Sequence, residues 1–117
     1  MPAVRGYPRA MSAFLLAASA DDLVSRHPVE AGRVRPHRTY DGDGVRIRTL
    51  VMDAGTVMRE HKAPVPILVT VASGRVLFRV DGEEHDLRAG GAITVAASVP
   101  HELEAVDPSH IVLVLMG

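Results

Sequence analysis

The sequence contains no cysteine and no tryptophan, and only 3% of its residues are aromatic. Without cysteine the chain cannot form a disulfide, hold a metal through thiolates or use a cysteine nucleophile. With so few aromatic residues, it lacks the flat side chains on which single-stranded nucleic acids stack their bases. These absences leave histidine as the residue most able to carry chemistry at neutral pH.

The sequence also lacks an excess of charge and a long apolar run. Its 13 Lys and Arg residues nearly balance 14 Asp and Glu residues, so no basic field attracts phosphates. No apolar run approaches the roughly 20 residues that cross a membrane. A length of 117 residues suits one domain. We therefore predict a single-domain cytoplasmic protein that binds neither nucleic acid nor membranes.

The N-terminal region carries two alternative signals. Two arginines precede the apolar segment 13–18, and the small residues 18–20 resemble a secretory cleavage site. That apolar segment is shorter than the core of a typical signal peptide, which has about 7 to 15 residues. The preferred interpretation is a short helix capped by Ser19, with Asp22 at the capping-box position and Pro28 closing it.

After residue 30 the sequence is punctuated at the spacing of β-hairpins. Val45–Met52 is rich in β-branched residues and begins with strict alternation, and Asp81-Gly82 is the strongest hairpin signal. Further strands are predicted at Ile67–Val71, Val76–Val80, Glu84–Leu87, Ala92–Val95, Glu102–Ala105 and Ile111–Met116. This spacing, without a long amphipathic helix, predicts an all-β antiparallel sandwich or barrel. We assign residues 1–29 to a loose tail (1–10) and short helix, and residues 30–117 to the barrel.

The last predicted strand is apolar on both of its faces. Ile111–Met116 contains no polar residue, so both faces need cover, either at the centre of the fold or under a partner chain. A homodimer is the simplest cover, and we predict one.

Two histidines stand at recurring distances from glycines. Five residues separate Gly55 from His61, twelve separate His61 from Gly74, and ten separate Gly90 from His101. This pattern resembles the two motifs of the cupin superfamily. The first motif is Gly, five residues, His-x-His, three or four residues, Glu, six residues, Gly. The second is Gly, five residues, Pro-x-Gly, two residues, His, three residues, Asn.

The resemblance covers nearly the whole predicted barrel. It implies a small single-domain cupin with a conserved barrel of the jelly-roll, or double-stranded β-helix, type. It further implies a pocket inside the barrel.

The metal-binding part of the resemblance is incomplete. Metal-binding cupins usually use both histidines and the glutamate of the first motif together with the histidine of the second. His61 and His101 match two of these ligands, whereas Ala63 and Ile67 stand at the other two positions. Two imidazoles are fewer than the three or four protein ligands of a tight site. We therefore expect a weakly bound divalent ion (Zn, Ni, Cu or Fe) or none. The second motif is also altered, with Ala96, Ser98 and Ala105 in place of its proline, glycine and asparagine.

Other polar residues could complete the ligand set. His110, which opens the last strand, is a possible third ligand. Regular alternation places Glu60 and Glu102 on the face opposite the two motif histidines, and His85 follows a hairpin turn as a solvated strand residue. These three are weaker candidates.

The same histidines can serve without a metal. Burial and mutual repulsion favour neutral imidazoles, so His61 and His101 could act as an acid-base pair near neutral pH. Arg59, two residues before His61, shares its predicted face and could bind an anionic substrate group. Aliphatic residues predicted to line the pocket are Ile67, Val69 and Val71. Arginines predicted on solvated strand faces are Arg46, Arg48, Arg75, Arg79 and Arg88.

Two classes of function follow from the resemblance. The first is a small-molecule enzyme of the isomerase, cyclase or oxygenase type that occurs among small cupins, with His61 and His101 as catalytic residues or weak metal ligands. The alternative is a non-catalytic protein that binds or senses a small ligand and retains a vestigial metal site.

Overall fold

A computed structural model of the chain describes residues 12–117. The tail predicted at residues 1–10 lies outside the described residues. The short helix is confirmed as α1, Ala20–Arg26. The Ser19 hydroxyl accepts a hydrogen bond of 3.0 Å from the backbone N–H of Asp22, as expected of an N-cap. The helix ends at His27, before Pro28.

Nine strands follow the helix and form two antiparallel sheets. Their bounds are β1 Val34–Gly42, β2 Val45–Met52, β3 Val57–His61, β4 Ile67–Ser73, β5 Arg75–Val80, β6 Glu83–Arg88, β7 Ala92–Val95, β8 His101–Ala105 and β9 Ser109–Met116. The five-stranded sheet has the order β1-β2-β9-β4-β7, and the four-stranded sheet has the order β3-β8-β5-β6. The predicted antiparallel jelly-roll architecture is confirmed.

The hairpin turns follow from local sequence. Asp81 and Gly82 have φ values of 55° and 74°, the left-handed conformation that a two-residue turn requires at both positions. The strand β2 has the predicted bounds. The strand β1 was not predicted, because its sequence is polar and contains Pro36. It lies at the edge of its sheet, where proline and exposed polar residues are tolerated.

The core lies between the two sheets. Its buried residues are Leu50, Met52, Ile67, Val69, Val71, Val76, Phe78, Val95, Leu103, Ala105 and Ile111. Because these residues alternate along their strands, the side chains between them project from the outer faces of the sheets. The core therefore reflects the period-two pattern that the sequence displays.

The chain direction brings several strand ends together at one end of the barrel, which we call the histidine end. The strand β3 ends there at His61, and β8 begins there at His101. The loops that follow β3 and β7 are joined there by a hydrogen bond of 2.7 Å from Ser98 N–H to the Ala63 carbonyl.

The strand β9 occupies the centre of the five-stranded sheet, which explains its two apolar faces. Ile111 lies in the core on the inner face. On the outer face, His110 bonds to the carbonyl of His27, where α1 ends, and Leu23 of α1 is 4% exposed. The chain's own helix therefore covers part of the face for which a partner was expected. The homodimer stays a prediction.

No helix within residues 12–117 is long and apolar enough to span a membrane.

The glycine between β4 and β5 is required by close packing. Gly74 has φ 94°, and a Cβ atom there would collide with the Pro108 carbonyl oxygen and Ser109 Oγ.

We expect Gly74→Ala to lower the free energy of unfolding by about 3 kcal/mol, through left-handed backbone strain and overpacking. Gly82→Ala is the matched control, because Gly82 has φ 74° and open space around its Cβ position. It should cost only about 1 kcal/mol in urea denaturation. Equal losses in the two variants would contradict this assignment.

Candidate functional site

The two motif histidines meet at the histidine end of the barrel. His61 and His101 are directly opposite each other in the pairing of β3 with β8. Their ring centroids are 4.3 Å apart in an edge-to-face arrangement. A register shift between Met58 and His61 interrupts the alternation of β3 just before the histidine. The predicted pairing of the two histidines in space therefore agrees with the geometry.

Each ring is held by the same local hydrogen bond. His61 Nδ1 lies 2.9 Å from the carbonyl oxygen of Arg59, and His101 Nδ1 lies 3.0 Å from that of Val99. A carbonyl oxygen can only accept, so each Nδ1 carries the proton and donates it. In the neutral rings, Nε2 therefore holds the lone pair. This arrangement orients both imidazoles and leaves Nε2 as the nitrogen available for a ligand or a proton.

His101 is the more deeply placed of the pair. It is 3% exposed, and the ring of Phe78 stacks on it with centroids 5.5 Å apart and planes 14° apart. Burial lowers the pKa of His101; the bond to the Val99 carbonyl partly opposes this, and the charge of His61 adds a smaller lowering. His101 is thus held mainly neutral near pH 7. Phe78 was missed as a site residue, although its alternation with the flanking arginines predicted an inward side chain.

The candidate third ligands do not join the pair. His110 lies in the other sheet, beside the core residue Ile111, so its side chain projects from the outer face toward α1. The possible ligand role of His110 is therefore wrong. Glu102 projects from the outer face of the four-stranded sheet and binds Arg79 at 2.8 Å.

Glu60 and His85, the remaining candidate ligands, also do not join the pair. Glu60 lines an outer crevice together with Glu102. His85 pairs with Phe78 and shares its inward face, but it is only half-buried and its nearest carboxylate is Glu83 at 3.5 Å.

The donor set does not fit a tight metal centre. Within residues 12–117, no group of three or more His, Asp or Glu side chains is arranged to hold a metal ion. Ile67, at the glutamate position of the family motif, is a core residue, and Ala63 packs against the core. Two imidazoles without a carboxylate supply neither the ligand number nor the negative charge that a divalent ion requires.

The aliphatic residues predicted to line the pocket lie in the core. Ile67, Val69 and Val71 are at most 2% exposed and pack with the other buried residues. Ile67 is on the row nearest the histidine end, opposite Val95 and Leu115. Their contact with a ligand stays a prediction.

Arg59 does not share the face of His61, although regular alternation would require it. Its side chain is exposed, and the shift in β3 places Met58 and His61 toward the core although they are three residues apart. Regular alternation, from which Arg59 was expected to share the face of His61, does not hold in this strand. The carbonyl of Arg59, rather than its guanidinium, contacts the histidine.

Two arginines lie on the inner face rather than on a solvated face. Arg46 and Arg48 pair with Leu115 and Leu113, which pack against the core, and they alternate with the core residue Leu50. Residues directly opposite in an antiparallel pair project to the same face, so both arginines leave the inner face of the five-stranded sheet. The prediction that these two occupy a solvated face was wrong, because the inner face opens toward the histidine end.

Arg48 is anchored within its own hairpin. Its guanidinium donates to Asp41 at 2.7 Å and to the Ile47 carbonyl at 3.1 Å. Arg38 and Arg46 also act on Asp41, so three guanidinium groups surround one carboxylate and hold its pKa low. The inner edge of the β1–β2 hairpin therefore carries an excess of positive charge.

The outer face of the four-stranded sheet has the opposite balance. Arg79 bonds to Glu84, Glu102 and Glu104 at 2.9, 2.8 and 2.6 Å. Beside it, a crevice of about 430 Å³ reaches from this face to the Asp81-Gly82 turn and His101. Arg75 and Asp86 form a two-bond ion pair on the same face. Arg75, Arg79 and Arg88 occupy the outer face, as predicted.

Comparison with known proteins gives a family and a fold. The family model described as the cupin domain matches residues 48–116. None of the curated proteins compared with the chain matches it. A conserved protein of unknown function from Streptococcus pyogenes superposes with a TM-score of 0.75 at 22% identity, covering 99% of this chain and 95% of that one.

Two solved structures with more informative names are also similar. KdgF from Halomonas sp. superposes with a TM-score of 0.68 at 17% identity, over 79% of this chain and 89% of its own. A putative mannose-6-phosphate isomerase from Ralstonia eutropha superposes with a TM-score of 0.68 at 21% identity, over 76% and 89%. At these identities the likenesses describe the fold alone.

The titration of His101 tests its burial. Because its pKa is lowered, the midpoint followed by proton NMR should fall below the ordinary value of 6.5. The neutral form favours the fold, so His101 contributes stability above pH 6.5 that is lost as pH falls through the lowered pKa. Phe78→Leu should raise the midpoint more than His61→Gln, because burial is the larger cause. A midpoint at or above 6.5 in the unaltered protein would contradict the described environment.

Metal content tests the donor set. Protein purified without a histidine tag should carry well under one equivalent of Zn, Ni, Cu or Fe, measured by elemental analysis. The amount should be the same in His61→Ala and His101→Ala, because two imidazoles hold a divalent ion weakly. One equivalent in the unaltered protein that disappears in both variants would show that the donor set is more complete than the geometry indicates.

Proposed function

Because the chain belongs to the cupin family, we propose that it acts on a small anionic molecule at the histidine end of the barrel, with His61 and His101 as an acid-base pair. The observation that carries the proposal is the contact between two imidazoles whose Nδ1 atoms are occupied and whose Nε2 atoms are available. No step is assigned to a metal, because the donor set does not fit one.

The pair suits a reaction that moves a proton. The ring centroids are 4.3 Å apart, and a proton transfer would use one ring in its neutral form and the other in its protonated form. The neutral ring accepts a proton at Nε2 while the protonated ring returns one from Nε2. The hydrogen bonds to the Arg59 and Val99 carbonyls keep both rings oriented during this exchange. Isomerase- and cyclase-type reactions need this proton transfer.

The charge of the ligand is inferred from the arginines. Arg46 and Arg48 leave the inner face near the histidine end, and together with Arg38 they act on one carboxylate, Asp41. Arg59 adds a further exposed cation on β3. A carboxylate or phosphate ester is the ligand group that arginines recognise best. One of the similar structures is a putative mannose-6-phosphate isomerase. The substrate in that name is a phosphate ester, which belongs to the class of anionic ligand proposed for this chain.

A second candidate is a protein that binds or senses a small ligand without altering it. Within residues 12–117, neither histidine of the pair is hydrogen-bonded to a carboxylate that would stabilise its charged form. Ala63 and Ile67 also leave the family's metal site without two ligands. These two features favour a vestigial site that retains only binding.

We retain the homodimer as a proposal as well. The outer face of β9 remains half-exposed at Val112 and Val114, and Met116 is 37% exposed. An apolar surface of this kind is commonly buried against a second copy.

A hydrogen-deuterium exchange assay separates the two candidates. A panel of sugar phosphates and small keto acids is first tested for binding by ¹H–¹⁵N NMR, with shifts expected near His61, His101 and β2. Bound compounds are then incubated in D₂O, and deuterium entering the carbon next to the carbonyl is measured by proton NMR. We expect catalysed exchange that falls by about 10² to 10⁴ in His101→Gln, the range for a lost general acid or base.

Matched variants make the outcome specific. His85→Gln changes a half-buried histidine of the same sheet and should leave exchange within about twofold, since the ring contacts of the pair are with each other and with Phe78. Arg46→Gln should weaken binding of the anionic compounds by about 10-fold, the loss of one charge-assisted hydrogen bond. Binding without any exchange would support the non-catalytic candidate. Binding that is unchanged in His61→Gln, His101→Gln and Arg46→Gln would overturn the proposed site.

A further inference from the structure

Three histidines outside the proposed site meet where α1 ends on the five-stranded sheet. His27 is the C-terminal cap of α1, His37 belongs to β1, and His110 belongs to β9. They lie on the outer face of this sheet, whereas the acid-base pair is on the inner face of the other sheet. No part of the proposed function uses them.

His110 fastens the end of the helix to the centre of the sheet. Its Nε2 lies 2.6 Å from the carbonyl oxygen of His27, a residue 83 positions earlier in the sequence. The carbonyl accepts, so Nε2 of His110 donates. His110 is 2% exposed. The bond therefore joins two segments that are far apart in the sequence, at a site closed to solvent.

His27 packs against the other histidine of the cluster. The ring centroids of His27 and His37 are 4.8 Å apart. The groups whose charges act on His27 are His37 of β1, His110 of β9 and Arg26 of α1, and each is positive when charged. Two carboxylates of this segment already have arginine partners: Asp22, in the first turn of α1, bonds to Arg26 at 3.1 Å, and Glu30, three residues after His27, bonds to Arg35 at 3.1 Å. Protonation of the cluster therefore adds like charges to one another.

We propose that His27, His37 and His110 form an acid-sensitive latch that holds α1 on the five-stranded sheet at neutral pH and releases it in acid. Release uncovers the outer face of β2 and β9, where Val51, buried beside His110, becomes accessible. The helix has seven residues, fewer than an isolated helix needs to persist in water, so release also unfolds it.

The direction of the pH dependence follows from the histidine environments. Burial is the largest cause that lowers the pKa of His27, followed by the charges of His37, His110 and Arg26. A released His27 regains its ordinary value of about 6.5 and so binds protons more readily than the docked one. Docking is therefore fully favoured above about pH 6.5 and is weakened as pH falls through the lowered pKa.

Hydrogen-deuterium exchange of the full chain, read by mass spectrometry, tests the latch. After correction for the intrinsic pH dependence of amide exchange, the rate in residues 20–27 should rise at least 10-fold between pH 7.5 and 5.0. Rates in β4 and β5 should stay within about twofold over the same range. The triple variant His27→Gln, His37→Gln and His110→Gln should lose this acid response, because glutamine keeps an amide donor but does not titrate.

Two single variants keep the test decisive if the triple variant does not fold. His37→Gln alters a residue that is only partly buried, unlike His110, so it should fold and reduce the acid response at least threefold. His85→Gln removes a histidine of the other sheet and should leave the response unchanged. The latch would be overturned if residues 20–27 of the unaltered protein show no acid response, or if His37→Gln retains all of it.

Discussion

The structure depends on covering both faces of β9, a strand that is apolar on each side and runs through the centre of the five-stranded sheet. Apolar surface on both faces is stable only when each face is removed from water. On the inner face, Ile111 packs with the second sheet and closes the barrel. On the outer face, the bond from His110 to the His27 carbonyl places the end of α1 over the beginning of the strand. The closure of the barrel and the docking of the N-terminal helix therefore both depend on this strand.

Closure of the barrel also determines what the histidine end can do. Pairing of β3 with β8 brings His61 and His101 into contact, and the carbonyls two residues before each ring fix its tautomer. Ile67, which stands where the family motif has a carboxylate ligand, is buried in the hydrophobic core. The family's scaffold is thus retained with two imidazoles in place of the full ligand set, and the proposal that the site transfers a proton or binds a ligand rests on this difference.

The charge distribution gives the two sheets different surfaces. Arg46 and Arg48 extend from the inner face near the histidine end, whereas Arg79 is surrounded by carboxylates on the outer face of the other sheet. Arginines at similar spacing in the sequence thus have opposite environments. The proposal of an anionic ligand rests on the arginines of the inner side, whereas on the outer face one guanidinium group, that of Arg79, is shared by three carboxylates.

Much of the fold could be predicted from the sequence, because alternation and turn residues act locally. The bounds of β2 and β7, the Asp81-Gly82 turn and the Ser19 cap all follow from neighbouring residues. The glycine and histidine spacing was sufficient to predict the cupin barrel, and it selected His61 and His101, which the structure places in contact. The family glycine replaced by Ser98 still has a left-handed backbone, with φ 65°, so the turn shape survives the substitution.

The environment of each side chain, in contrast, was decided by tertiary structure. Alternation shows that Arg46 and Arg48 share one face of β2, but it does not show which face of the strand is turned toward the inside of the barrel. The register shift in β3 places Arg59 on a different face from His61. His110, which was considered as a metal ligand, instead bonds to the carbonyl of His27 at the end of α1. These outcomes rest on contacts between residues far apart in the sequence. The sequence by itself therefore determined most of the strands and the choice of His61 and His101, because these signals are local. The burial, charge environment and contacts of each side chain were set only by the packing of the two sheets and the helix.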